Sequence, residues 1–211
     1  MGASQTQAEG LVSYPLLRGT TSPEWVKCIE DGGLFELLSD HAHNELKAAA
    51  TAQAWLLKNT DQPKLVIELS KVAAEELEHF ERVVKLLYSR GGQLHPLKSN
   101  PYAEALLKGS AKTRRDPFLD RLIVAALIEA RSCERFILLA DHLLDPEVAG
   151  LYRDLIPCEL GHNELFVDLV RESFPGEGTE NRIEQLFDLE GEVIASLPFS
   201  FAMHSGMRPV A

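Results

Sequence analysis

Residues 70–87 read SKVAAEELEHFERVVKLL, and residues 155–169 read LIPCELGHNELFVDL. Both stretches repeat apolar residues every three or four positions, which is typical of an α-helix with one buried face. Each stretch also contains a Glu-x-x-His pair, and that spacing places both side chains on one helix face. In both stretches this face is the apolar one. The sequence therefore predicts two helices whose buried faces carry ionisable side chains.

Two further glutamates extend this pattern. Glu45 precedes Glu76 by 31 residues, and Glu129 precedes Glu159 by 30. Glu45 and Glu129 each lie in the middle of an apolar stripe with helical period. The chain thus repeats Glu…Glu-x-x-His twice, as two helical hairpins would. One glutamate from each of two helices, with Glu-x-x-His from each of the other two, is the ligand arrangement of di-metal carboxylate bundles.

Charge balance favours a metal site over four isolated glutamates. A buried carboxylate costs several kcal/mol unless a cation compensates it, and four in one layer would also repel one another. Two divalent cations would balance the four charges, and imidazoles would complete the coordination. Mixed oxygen and imidazole ligands suit iron, manganese or zinc. The predicted ligands are Glu45, Glu76, His79, Glu129, Glu159 and His162.

Other Glu, His and Cys residues in these helices fit the ligand pattern less well. A single Glu-x-x-His pair in a glutamate-rich helix carries little weight, because most such glutamates lie on solvated faces. His41 lies one turn before Glu45. Both His41 and His43 are predicted to lie at the surface or to contact a ligand residue, rather than to bind metal themselves. Glu134 could replace Glu129 but lies off the apolar stripe. Glu75 is a predicted hydrogen-bond acceptor beside the first pair, and Cys158 occupies the matching position in the second.

The rest of the chain predicts an all-α, ferritin-like four-helix bundle. No alternating β pattern is present, and Pro and Gly divide the helices. Short turns follow helices one and three, whereas a long crossover separates helices two and three. The predicted long helices span about 34–59, 63–90, 116–144 and 146–174, with shorter ones at 103–108 and 180–196. The predicted division is an N-terminal arm with a short helix (1–30), a single bundle domain (31–200) and a frayed tail (201–211).

Composition predicts a soluble, cytoplasmic protein. Its 211 residues suit one domain, and 45% hydrophobic residues suffice for a core. No apolar run long enough for a membrane span and no signal peptide is recognisable. Three scattered cysteines are predicted to be reduced thiols. Although the net charge is −11, the chain contains a basic stretch, Arg82–Arg121, with nine Lys or Arg and three Asp or Glu.

Four segments carry a resemblance to a known family: HNELKAAA (43–50), AAEELEHFERV (73–83), LIEARSCERF (127–136) and ELGHNELF (159–166). Together they resemble the bacterial tRNA hydroxylase acting on 2-methylthio-N6-isopentenyladenosine. The resemblance implies a non-haem di-iron monooxygenase that hydroxylates the isopentenyl group beside the anticodon. It implies O2 as co-substrate and an external reductase as electron donor. The six predicted ligands match the family's ligand positions.

The resemblance also implies tRNA as a partner. The basic stretch could neutralise its phosphates, although it could equally be a solvated loop. The runner-up function is a ferroxidase, iron store or peroxide scavenger of the ferritin–rubrerythrin type, and a non-enzymatic helical interaction protein is third. The ligands are also compatible with manganese, and the oligomeric state stays open. The candidate tRNA-binding residues are Lys108, Lys112, Arg114, Arg115 and Arg121.

Overall fold

The computed structural model describes residues 17–111 and 116–207, and everything below refers to them. These residues form seven α-helices, and no β-strand occurs among them. This confirms the predicted all-α class. The helices are α1 (Glu24–Cys28), α2 (Leu34–Lys58), α3 (Pro63–Ser89), α4 (Pro101–Ser110), α5 (Pro117–His142), α6 (Pro146–Ser173) and α7 (Glu177–Ser196).

The helix boundaries follow from local chemistry. Helices α4, α5 and α6 each begin with a proline, which has no N–H to satisfy and is preset for the first turn. The preceding residues Asn100, Asp116 and Asp145 accept hydrogen bonds from first-turn backbone N–H groups through their side chains. Helix α3 ends before Gly91, whose φ of 80° is the left-handed conformation that glycine adopts freely. Helix α6 continues through Pro157, as predicted.

Two helical hairpins make the bundle. Helix α2 packs along α3, and α5 packs along α6, with short loops inside each hairpin. The connection from α3 to α5 is the predicted long crossover, and it contains α4. Helices α4 and α7 contact each other and both contact α5. Within the described part of the chain, no helix combines the length and apolar content needed to cross a membrane.

The core consists of two apolar clusters separated by a polar layer. One cluster contains Trp55, Leu69 and Phe166, and the other contains Leu38 and Phe136. Along each of the four long helices, the predicted metal-ligand positions lie between the residues of one cluster and those of the other. The ionisable layer is therefore closed off from solvent at both ends of the bundle.

The predicted frayed tail is wrong for Met203–Gly206. All four residues are buried, and Met203 is fully so. The backbone N–H of Met203 donates to Asp40 of α2, and Arg135 of α5 donates to the carbonyl of Ser205. The tail thus adheres to the bundle through polar contacts that no periodic pattern reveals. Residues 1–16 of the predicted arm and residues 208–211 of the tail lie outside the described part.

Candidate metal centre

The six predicted ligand residues converge in the middle of the bundle. Helices α2 and α5 each contribute one glutamate, and α3 and α6 each contribute a Glu-x-x-His pair. Their relative exposures lie between 1% and 6%. The six are Glu45, Glu76, His79, Glu129, Glu159 and His162.

These residues form two overlapping groups, each able to hold one metal ion. The first consists of Glu45, Glu76, His79 and Glu159, and the second replaces Glu45 and His79 with Glu129 and His162. Within each group, the potential ligand atoms all lie within 4.8 Å of one another. Both groups contain Glu76 and Glu159. The two positions would therefore share two carboxylates, and each would have one histidine and one glutamate of its own.

The orientation of the side chains fits metal ligation. His162 Nδ1 lies 3.0 Å from Glu76 Oε1, and His79 Nδ1 lies 3.2 Å from Glu159 Oε1. None of these four buried atoms has a hydrogen-bond partner. Two ligands of one first-row metal, each about 2.1 Å from it, have donor atoms about 3 Å apart. Such an ion requires buried donor atoms that lie about 3 Å apart and are not already used in hydrogen bonds, and these four atoms meet both conditions.

The electrostatics of the cluster also demand positive charge. Burial raises the pKa of Glu76, and the neighbouring carboxylate of Glu45 raises it further. Burial and the charge of Glu159 likewise raise the pKa of Glu129. Burial alone would lower the pKa of His79, but contacts with a nearby thiol and two carboxylates raise it to about 12. Without metal the cluster therefore favours bound protons, which divalent cations would replace.

Glu75 occupies a different place from the one predicted. Its Oε2 lies 2.9 Å from His162 Nε2, so it contacts the histidine of the second pair rather than that of the first. The side chain projects across the groove to α6 instead of along its own helix. A neutral His162 that donates Nε2–H to Glu75 leaves Nδ1 free to ligate a metal. Cys158 Sγ also lies near this Nε2, at 3.6 Å.

The alternative residues lie outside both metal groups. His41 Nε2 is 2.6 Å from Glu45 Oε1, so this buried ring helps to orient the candidate ligand Glu45. His43 Nε2 contacts the carbonyl of His95 in the crossover. Glu134 accepts hydrogen bonds from Thr21.

A pocket of about 500 Å³ reaches the centre from the α2/α5 side. Glu129 is part of its wall, and most of the remaining wall is apolar, including Trp55, Val72, Ile128 and Phe166. A pocket of this size suits a small-molecule group rather than a buried water. An apolar substituent could therefore lie beside the candidate metal centre.

One wall of this pocket is polar and was not predicted. Asn100 Nδ2 donates to Asn44 Oδ1 at 3.2 Å and lies 3.4 Å from His204 Nδ1. His204 Nε2 lies 3.0 Å from Ser132 Oγ. These residues come from α2, the crossover, the tail and α5. The sequence did not predict this wall, because its contacts depend on how the tail folds against the bundle.

The basic stretch divides into paired and exposed residues. Arg82 pairs with Asp154 at 3.1 Å, and Lys85 and Arg90 also form ion pairs. Arg121, in contrast, is exposed and lies on the pocket wall, and Lys108 is exposed next to the wall residue Leu107. The candidates Lys112, Arg114 and Arg115 lie outside the described residues.

This fold and site define a ferritin-like helical bundle with a buried carboxylate–histidine cluster that could hold metal. Residues 11–205 match the family model described as tRNA-(MS[2]IO[6]A)-hydroxylase (MiaE). The chain belongs to that family.

Individual relatives agree with the family assignment. A Pseudomonas putida protein named tRNA 2-(methylsulfanyl)-N(6)-isopentenyladenosine(37) hydroxylase is 34% identical over 171 residues, 81% of this chain and 83% of that protein. A Salmonella typhimurium protein of the same name is 29% identical over 168 residues, 78% of this chain and 59% of that longer protein. A solved Synechococcus structure, described as protein 43 with aldehyde deformylating oxygenase activity, has a TM-score of 0.84 and 38% identity. That similarity covers 93% of this chain and 98% of the other.

Proposed function

We propose that this protein hydroxylates the isopentenyl group of 2-methylthio-N6-isopentenyladenosine in tRNA, beside the anticodon. The observation that carries the proposal is a buried four-glutamate, two-histidine cluster on the wall of a largely apolar pocket. Family membership supplies the reaction class, and the names of the two relatives supply the substrate. Because the substrate is tRNA, the proposed location is the cytoplasm.

The proposed cofactor is a pair of iron ions, with manganese as the alternative that metal analysis must exclude. Glu76 and Glu159 would be shared between the ions, since both belong to each metal group. Glu45 and His79 would complete one position, and the other would use the remaining glutamate and histidine. When bound, such a centre supplies O2 activation. The overall balance is R–H + O2 + 2 e⁻ + 2 H⁺ → R–OH + H2O, so we also propose an external reductase.

The pocket orients the substrate. Its apolar side chains would hold the isopentenyl group and exclude water, so that the group lies beside Glu129. Asn44, Asn100 and His204 form the polar wall and could contact the adenine edge. Exposed basic side chains at the rim of the pocket would bind phosphates of the anticodon loop. Such contacts position the tRNA but do not recognise its base sequence. Arg121 and Lys108 are the described residues in that place.

The decisive experiment measures product in tRNA. Purified protein, loaded with ferrous iron and supplied with a reductase, is incubated with tRNA that carries the unhydroxylated nucleoside. We expect O2 uptake to depend on this tRNA, and nucleoside analysis to detect the hydroxylated product. A tRNA without the isopentenyl group serves as the control. O2 or peroxide consumption that ignores the tRNA would instead support an iron-handling or peroxide-scavenging protein.

The docking role of the rim is tested separately. Arg121→Ala combined with Lys108→Ala should weaken tRNA binding and reduce its dependence on salt, because fewer counterions are released. Lys85→Ala is the matched control, since Lys85 lies on α3 and is already paired with Glu81. Metal content should not change in either variant. Wild-type binding by the double variant would mean that tRNA docks elsewhere.

A further inference from the structure

The candidate metal centre approaches the protein surface on two sides that differ in charge. On the α2/α5 side, the pocket wall is largely apolar, and Lys47 and Arg121 contribute positive charge to it. On the α3/α6 side, Glu75 and Glu78 are exposed carboxylates. A divalent cation is repelled by the first side and attracted by the second. The two bundle ends are closed by the apolar clusters.

Three side chains on the α3/α6 side form a further group able to hold a metal ion: Glu75, Cys158 and His162. Their potential ligand atoms lie within 4.8 Å of one another. Exposure decreases inward through this group: the Glu75 side chain is 47% exposed, Cys158 is half-buried and His162 is buried. A carboxylate, a thiolate and an imidazole together suit zinc, cobalt or ferrous iron.

The imidazole of His162 belongs to both the outer group and the inner centre. Its Nε2 faces Glu75 and Cys158, whereas its Nδ1 faces Glu76 at 3.0 Å. In a neutral imidazole only one nitrogen has a free lone pair. An outer metal needs that lone pair on Nε2, with the proton on Nδ1 toward Glu76. An inner metal needs it on Nδ1, with the proton on Nε2 toward Glu75.

We propose that Glu75, Cys158 and His162 form an entry site, which binds an incoming divalent metal ion before it reaches the buried centre. This inference rests on the proposed di-metal function and adds the route by which the centre is loaded. Binding at the entry site releases the Cys158 thiol proton, and transfer inward restores it. The shift of the imidazole proton from Nδ1 to Nε2 removes one ligand from the entry site. Transfer into an empty centre therefore weakens the entry site, and a filled centre keeps it weak.

Cadmium is a suitable probe because it binds thiolates and gives an ultraviolet thiolate charge-transfer band. We expect metal-free wild type to show this band on mixing with one equivalent of Cd²⁺, before the ion moves inward, and Cys158→Ser to lack it. Cys28→Ser is the matched control, since Cys28 is also half-buried and free but lies on α1. Protein already holding two iron ions should give little or no band. A band that survives in Cys158→Ser, or that ignores the filled centre, would overturn the entry site.

Loading kinetics give a second, independent measurement. Ferrous iron should enter Cys158→Ser several-fold more slowly than wild type, whereas the final content should stay at two ions per chain. Cys28→Ser should load at the wild-type rate. Equal rates for all three proteins would refute the entry route. Failure of wild type to take up two ions would refute the di-iron proposal instead, and the Cd²⁺ band would still decide whether the outer group binds metal.

Discussion

Two groups of carboxylates that the described part of the bundle buries differ in composition: one lies beside arginines, and the other lies beside histidines. In the first, Arg131 and Glu190 are both fully buried and form a two-pronged ion pair, with nitrogen–oxygen distances of 2.9 and 3.0 Å. Arg131 also donates to Glu134, and Tyr102 donates to Glu190. Arg135 lies over the Trp25 ring at 4.2 Å. Two arginines and two glutamates make this arginine cluster neutral.

The second group is the metal layer, which consists of the six candidate metal ligands and contains no arginine. Its four glutamates meet two histidines, and several of the facing atoms have no hydrogen-bond partner. Burial imposes the same cost on carboxylates in both clusters, so the difference lies in where the compensating charge originates. The arginine cluster contains its own cations and fixes the fold. The metal layer leaves that charge to be supplied by bound ions, which makes it suited to chemistry.

The largest effect is expected from Glu159→Ala, because Glu159 belongs to both metal groups. Metal affinity should fall by more than the roughly 10–100-fold that loss of an outer partner costs. Hydroxylation of tRNA should be lost with it. Metal content after desalting, measured by elemental analysis, tests this directly. Glu78→Ala on the exposed face of α3 is the control and should keep two ions. Full metal content in Glu159→Ala would disprove the ligand assignment.

In the arginine cluster, Arg131→Met should lower stability by about 3–5 kcal/mol, because it leaves Glu190 buried without its cation. Adding Glu190→Leu should recover most of the loss, since an apolar pair replaces an ion pair. Urea unfolding of the single and double variants at constant metal concentration measures both effects. The folded variants should still bind two ions. A loss below about 1 kcal/mol for Arg131→Met would mean that the two clusters do not differ as described.

The two clusters also differ in how much of them was predictable from sequence. The metal layer has local signals: Glu76/His79 and Glu159/His162 recur on apolar stripes, with matching glutamates upstream. The arginine cluster has none, and Glu134 was considered only as an alternative to Glu129 that lies off the apolar stripe. Its burial depends on α7 and on residues 19–21, which are distant in sequence. Periodicity identifies the face of a single helix but not which segments later cover the other faces.

The errors in the sequence-based predictions have the same origin. The tail was predicted to fray because Met203–Gly206 has no helical or strand pattern, yet backbone and side-chain hydrogen bonds fix it against the bundle. Glu75 was assigned to the wrong histidine because sequence spacing describes contacts along one helix. Its actual contact crosses from α3 to α6 and depends on how the two helices face each other.

Metal removal should produce the next largest effect. Ferrous iron at about 100 times its dissociation constant should stabilise the fold by about 2.7 kcal/mol. For a chain of this size that corresponds to a rise in Tm of roughly 5–10 °C. Thermal unfolding with chelator, and after metal is restored, measures it. In Arg131→Met, metal should raise Tm by the same amount as in wild type, because the two clusters are neutralised independently.

A variant with all four glutamates of the metal layer replaced by leucine or alanine sharpens that test. Its apo form should be at least as stable as the apo wild type, because four buried carboxylates no longer repel one another. It should not respond to metal and should be inactive. An apo wild type as stable as its metal-loaded form would contradict the charge-balance argument for this layer.

The smallest effect concerns His204, at the edge of the arginine cluster. Burial lowers its pKa to about 3, and the charges of Arg135 and Arg131 contribute in the same direction. An unfolded chain protonates this histidine near pH 6.5, whereas the folded chain does not, so stability falls as pH falls from about 6.5 toward 3. Between pH 7 and 6 this residue lowers the free energy of unfolding by about 0.7 kcal/mol.

His204→Gln should reduce the pH dependence of the free energy of unfolding by that amount, whatever the absolute stability of the variant. His142→Gln, at an exposed position in the last turn of α5, is the control. Equal slopes for wild type and His204→Gln would show that burial and the arginine charges do not hold this histidine neutral.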